Sequence, residues 1–151
     1  MTNTPISKIA IVIAFVVISS ALQVARADTL RFHADLSGRG EWPPSASPAT
    51  GHMEATLDTA TNTLKWSCAY SNLSGVPIGA HFDGPVSYVS ATADVNTRIE
   101  VATSGNLSSP FSGKATIDAT QAQDLKSGRW YFDLHTHKYP AGEIRGPVLR
   151  D

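Results

Sequence analysis

The stretch Gly51-His52-Met53-Glu54-Ala55-Thr56-Leu57, then Asp58-Thr59-Ala60-Thr61-Asn62, then Thr63-Leu64-Lys65-Trp66-Ser67-Cys68-Ala69-Tyr70 reads as strand, turn, strand. On the second arm Leu64, Trp66 and Cys68 alternate with Lys65, Ser67 and Ala69, the two-residue period of a strand with one face in a core. The first arm repeats that period more weakly. The polar residues between the arms are turn formers, so the two arms are expected to pair as an antiparallel hairpin. Cys68 falls on the apolar face and is the only cysteine, so burial is its expected fate and no internal disulfide is possible.

Outward from the hairpin the same punctuation recurs. Residues 29–36 set Leu30, Phe32, Ala34 and Leu36 against Arg31, His33 and Asp35. Further strands are expected over residues 77–82, 98–101, 113–117, 129–136 and 142–149, separated by Gly, Pro, Asn and Ser. One short helix is expected, with Thr120 as N-cap, Gln123 reaching back to it, and Gly128 just past its end. Many short strands with turns between them predict an all-β, two-sheet sandwich with one short connecting helix, in a single domain over residues 28–151.

The N-terminus reads differently. Lys8 precedes an apolar run over residues 9–22, and Ala25 and Ala27 then flank Arg26. A helix of that run rises only about 21 Å, short of the ~30 Å core of a bilayer. The pattern predicts a cleavable signal over residues 1–27, cut after Ala27, and a secreted or periplasmic product with no membrane span after cleavage. The formal net charge is −1, and loss of Lys8 and Arg26 with the signal makes the remainder more acidic. Such a chain, without a basic block, is not built for nucleic acid or an anionic membrane surface.

Three further stretches belong together. They are Phe32-His33-Ala34-Asp35-Leu36-Ser37-Gly38 with Glu41-Trp42-Pro43-Pro44 and Ala49-Thr50-Gly51; Leu73-Ser74-Gly75 with Ala80-His81-Phe82-Asp83-Gly84-Pro85; and His135-Thr136 with Tyr139-Pro140-Ala141-Gly142-Glu143-Ile144-Arg145-Gly146. In order and spacing the set resembles the CHRD domain, the module named after chordin. The resemblance implies an extracellular sandwich of immunoglobulin-like or superoxide-dismutase-like Greek-key form. It also implies a binding or interaction module whose partner is an extracytoplasmic protein or small ligand. The chain departs from the family in two places. Asp83 stands where the family often has the second histidine of Ala-His-Ile-His-Gly-Pro, and Pro147 follows Gly146 where glutamine is usual.

His81 and Asp83 are two apart, as are His135 and His137, and residues i and i+2 of a strand share a face. Side by side, the two pairs would offer imidazoles and a carboxylate suited to Cu(II) or Zn(II). The alternative is a hydrogen-bonded network closing one end of the sandwich, in which Glu143 and Arg145 share a face and Arg145 clamps Glu41 bidentately. Both readings stay open at this level. No Gly-x-Ser-x-Gly elbow, phosphate loop or His-Glu-x-x-His is present, so an enzyme of dismutase or hydrolase type is the weaker expectation. His33 and His52 receive no role.

Overall fold

The hairpin forms as its alternation requires. In the computed structural model, which describes residues 28–86 and 97–151, β2 (Thr50–Asp58) and β3 (Thr63–Ser71) pair antiparallel with Met53 opposite Cys68 and Leu57 opposite Leu64. The Asp58 carboxylate accepts the backbone N–H groups of Ala60 and Thr61 at 2.9 Å, and Asn62 takes the left-handed φ of 50° that closes the turn. Met53, Leu57, Leu64 and Cys68 are all buried, and burial pushes the Cys68 thiol up to about 12, so it stays protonated. The export signal expected over residues 1–27 lies outside the described residues.

The remaining strands are β1 (Thr29–Ser37), β4 (Pro77–Gly84), β5 (Arg98–Ala102), β6 (Phe111–Thr116), β7 (Tyr131–Thr136), β8 (Ile144–Pro147) and β9 (Leu149–Arg150). They build one antiparallel sheet in the order β5-β4-β7-β8-β1-β2-β3-β6, with β9 added to β1. The all-β expectation is met, but in place of two separate sheets there is one continuous, nearly closed sheet. The halves β5-β4-β7-β8 and β1-β2-β3-β6 are linked where Ser37 pairs with Arg145. They then face each other across a shared core. Trp66 of β3 meets Phe82 of β4 edge-on at 5.2 Å between ring centres, and Phe111 of β6 stacks over Phe132 of β7 at 6.5 Å.

Several boundaries differ from the sequence expectation: β4 runs on to Gly84, β6 starts at Phe111, β7 at Tyr131 and β8 at Ile144, and two differences have a clear physical cause. The helix α1 (Ala119–Lys126) is capped by Asp118, not Thr120: the Asp118 carboxylate accepts the Gln121 N–H at 2.8 Å, and the Gln121 side chain accepts the Asp118 N–H at 2.9 Å. The same three-residue spacing occurs in both frames, and the stronger acceptor, a carboxylate, takes the cap. Gly128 ends the turn with φ of +67°. The expected last strand divides into β8 and β9 at Pro147, which has no N–H to continue a ladder.

The seam between the halves is tight. A Cβ on Gly146 would collide with the backbone carbonyl of Asp35 on β1. Gly146→Ala must therefore push the strands apart, and the expected loss is about 1–3 kcal/mol in denaturant unfolding. Wild-type stability in that variant would show that the seam is looser than drawn.

Candidate functional site

Antiparallel pairing places directly opposed residues on the same face. His81 of β4 stands opposite Asp133 of β7, and Asp133 stands opposite Arg145 of β8, so the three form one row. Asp83 faces Tyr131 in the next row, and Gly79 faces His135 in the row on the other side. Phe82, Phe132, Leu134 and Ile144, on the opposite face, are the core. The outer face of this half-sheet thus gathers acids and bases that the inner face excludes.

The geometry at its centre is close. Asp133 Oδ1 lies 3.0 Å from His135 Nε2 and 3.8 Å from His81 Nδ1. Donor atoms of His81, Asp133 and His135 all lie within 4.8 Å of one another. The two imidazole rings are 4.9 Å apart. Gly79 makes room for them, because a Cβ there would stand 3.2 Å from the His81 ring. His135 Nδ1 donates to the carbonyl of Pro140 at 3.1 Å, which aims Nε2 at Asp133.

Glu41 enters from the segment after a single 3-10 turn at Gly38–Gly40. Arg145 Nε donates to Gly40 O at 2.8 Å and lies 3.8 Å from Glu41 Oε2, while its guanidinium sits 4.4 Å from the centre of the Tyr131 ring. The expected bidentate clamp is replaced by this bond to the backbone. Beneath Glu41 lies Gly142, whose φ is +129° and whose Cβ, if present, would stand 2.6 Å from the Glu41 carboxylate. Only glycine fits there.

The charges follow from burial. Burial pushes Glu41 up to about 7, aided by the charge of Asp133 and opposed by Arg145 and His135. Burial likewise pushes Asp83 up to about 7, helped by the Asp133 charge and opposed by His135 and Arg145. The hydrogen bond to Asp133 raises His135 to about 9 against the effect of its own burial, so it is an imidazolium. Burial lowers His81, which is neutral.

Two expected members of the cluster stand elsewhere. β7 ends at Thr136, and the chain turns back through the reciprocal bonds of Thr136 with Tyr139. The i, i+2 rule therefore stops short of His137, which is exposed in that turn and outside the triad. Glu143 precedes β8 and is fully buried, whereas the Arg145 side chain is 21% exposed. The Glu143 carboxylate accepts Ser47 Oγ at 2.7 Å, the Ser74 N–H at 2.8 Å, Ser74 Oγ at 2.7 Å and Thr136 Oγ1 at 2.6 Å.

Asp133 is the member that sequence reasoning missed. The same alternation that pairs His81 with Asp83 places it two residues before His135 on the strand expected over residues 129–136. His33 and His52 lie on the outer face of β1 and β2, paired with Asp151 at 2.6 Å and Asp35 at 2.7 Å, away from the cluster.

The family model of the CHRD domain matches residues 32–148, a span that holds every residue of the cluster. The chain belongs to the CHRD family. No match was found among curated proteins or among solved structures. The three CHRD-like stretches of the sequence now have a spatial meaning. The first supplies Glu41, the second His81 and Asp83, and the third His135, Glu143 and Arg145. Among the described residues, no helix is long and apolar enough to cross a membrane.

Proposed function

We propose that this CHRD domain is a binding module working outside the cytoplasm, and that its binding centre is the acid–base cluster on β4, β7 and β8. One contrast carries the reading. Glu143 has every lone pair it needs answered by a donor, as a purely architectural carboxylate should. Glu41 Oε1 and Asp83 Oδ2 are buried and have no donor among the described residues. A network kept only for stability gains nothing from such groups, whereas a site that completes itself with a positively charged ligand does. Glu41 and Asp83 are buried acids held up to about 7, and a cation or a cationic group beside them is the ligand that would stabilise their charged forms.

The extracytoplasmic setting rests on the expected signal over residues 1–27 and on the family's extracellular character. The immunoglobulin-like or superoxide-dismutase-like Greek-key form belongs to the same reading, supported by the face-to-face packing of the two half-sheets. Trp42, 58% exposed beside the buried Glu41, is an apolar contact point at the edge of the centre.

Thermal unfolding against a panel of metal cations, organic cations and basic peptides tests the proposal. A ligand at a hundred times its dissociation constant adds about 2.7 kcal/mol of stability. The expected result is stabilisation by a cationic ligand that is lost in Asp83→Asn and kept in His33→Ala. A panel in which nothing stabilises the wild type more than Asp83→Asn would overturn it.

A further inference from the structure

We infer that the centre takes one divalent transition-metal ion of the Zn(II) or Cu(II) class, held by His81, Asp133 and His135. This rests on the binding-module reading and names its ligand. Two imidazoles and one carboxylate are a donor set for borderline metals, not for Ca(II) or Mg(II), which take oxygen. Donors bound at 2.0–2.1 Å to a tetrahedral ion stand about 3.3 Å from one another. The separations of 3.0 Å and 3.8 Å around Asp133 Oδ1 bracket that value, so small side-chain rotations complete the site.

Independent features point the same way. The Pro140 carbonyl receives the His135 Nδ1–H at 3.1 Å, the outer contact that commonly holds a metal-bound imidazole in one tautomer. Beside Asp133 lies the Asp83 carboxyl, only 7% exposed, with Oδ2 lacking a donor among the described residues. A neighbouring dication would compensate that buried acid. The side chain of His81 is 22% exposed and that of His135 is 16% exposed, so an ion reaches the triad without opening the core. Three protein donors leave a fourth position for water or for a group from a partner.

Calorimetric titration of the untagged full chain with ZnCl2, and separately with CuCl2, tests the assignment. One ion per chain is expected, with a dissociation constant below about 10 μM. Asp133→Asn and His135→Ala should weaken binding by about 100-fold or more, while His52→Ala and His137→Ala leave it unchanged. MgCl2 and CaCl2 should give no binding. Should either buried variant fail to fold, His81→Gln, at a partly exposed position, is expected to keep the fold and show the same loss. No binding tighter than about 10 μM, or binding that survives in folded His81→Gln or Asp133→Asn, overturns the inference. Stabilisation by an organic cation or basic peptide that depends on Asp83, without Zn(II) or Cu(II) binding, would overturn the metal and leave the binding module standing. Loss of both would remove the module as well.

Discussion

Glu143→Ala is expected to destabilise the domain by about 3–5 kcal/mol, among the largest effects of any single change. The wild-type carboxylate joins three segments that are distant in sequence: the loop holding Ser47, the turn holding Ser74 and the end of β7 at Thr136. Removing it leaves the Ser74 backbone N–H and three hydroxyls, the Thr136 one buried, without their acceptor. The hydroxyls of Ser74 and Thr136, 3.1 Å apart, relieve each other in part. The Ser74 N–H has no such recourse. Glu143→Gln keeps the volume and one acceptor oxygen but turns an NH2 toward the donors, so a smaller loss of about 2 kcal/mol is expected. Denaturant unfolding at neutral pH reads both, and a loss under 1 kcal/mol for Glu143→Ala would deny the carboxylate this role.

The same group sets a pH dependence with a definite sign. Burial alone would push Glu143 up, but the hydrogen bonds from Thr136, Ser47 and Ser74 outweigh it and hold the carboxyl below its ordinary value of 4.5. A group whose pKa is depressed by folding stabilises fully above its unfolded value, and that stability is lost as pH falls through the folded one. Stability attributable to Glu143 therefore declines below about pH 4.5, and Glu143→Gln lacks that decline. Glu41 and Asp83 act in the opposite sense. Both are raised to about 7, so their contribution falls as pH rises from their ordinary carboxyl range toward 7. Subtracting the Glu143→Gln profile from the wild type isolates the acid limb.

Phe82→Ala is the second large effect, with an expected loss of about 3–5 kcal/mol. The ring is fully buried and touches aromatic neighbours from both half-sheets: Trp66 at 5.2 Å, Phe132 at 4.7 Å and Trp130 at 5.9 Å. These large planar groups cannot close over the space of a missing ring without leaving their own contacts, so a cavity persists. Phe82 also sits between His81 and Asp83, and its packing sets the height of β4 under the cluster. The variant should therefore lose cation-induced stabilisation along with global stability. Unfolding free energy and ligand-induced shift, measured on the same samples, check the two parts. Phe82→Leu, which keeps most of the apolar volume, should recover much of both.

Local pattern made much of this molecule legible. The alternation of Leu64, Trp66 and Cys68 determined a strand, its buried face and the inert state of the thiol, because a strand's period acts on each residue regardless of the rest of the chain. The turn at residues 58–62 and the approximate place of the helix were determined in the same way. So was the pairing of His81 with Asp83 on one face, and three motif stretches carried the family. What a sequence does not hold is which strand lies beside which, how far each runs, and which donors reach a buried acid. Tertiary structure alone brought β4, β7 and β8 together in register, and so put Asp133 between the two histidines. It ended β7 at Thr136, which turned His137 out of the cluster. It also divided the expected single network in two, giving Glu143 its full set of donors and leaving Glu41 Oε1 and Asp83 Oδ2 without one among the described residues. Those outcomes depend on contacts between residues far apart in the chain, and a local period carries no information about them.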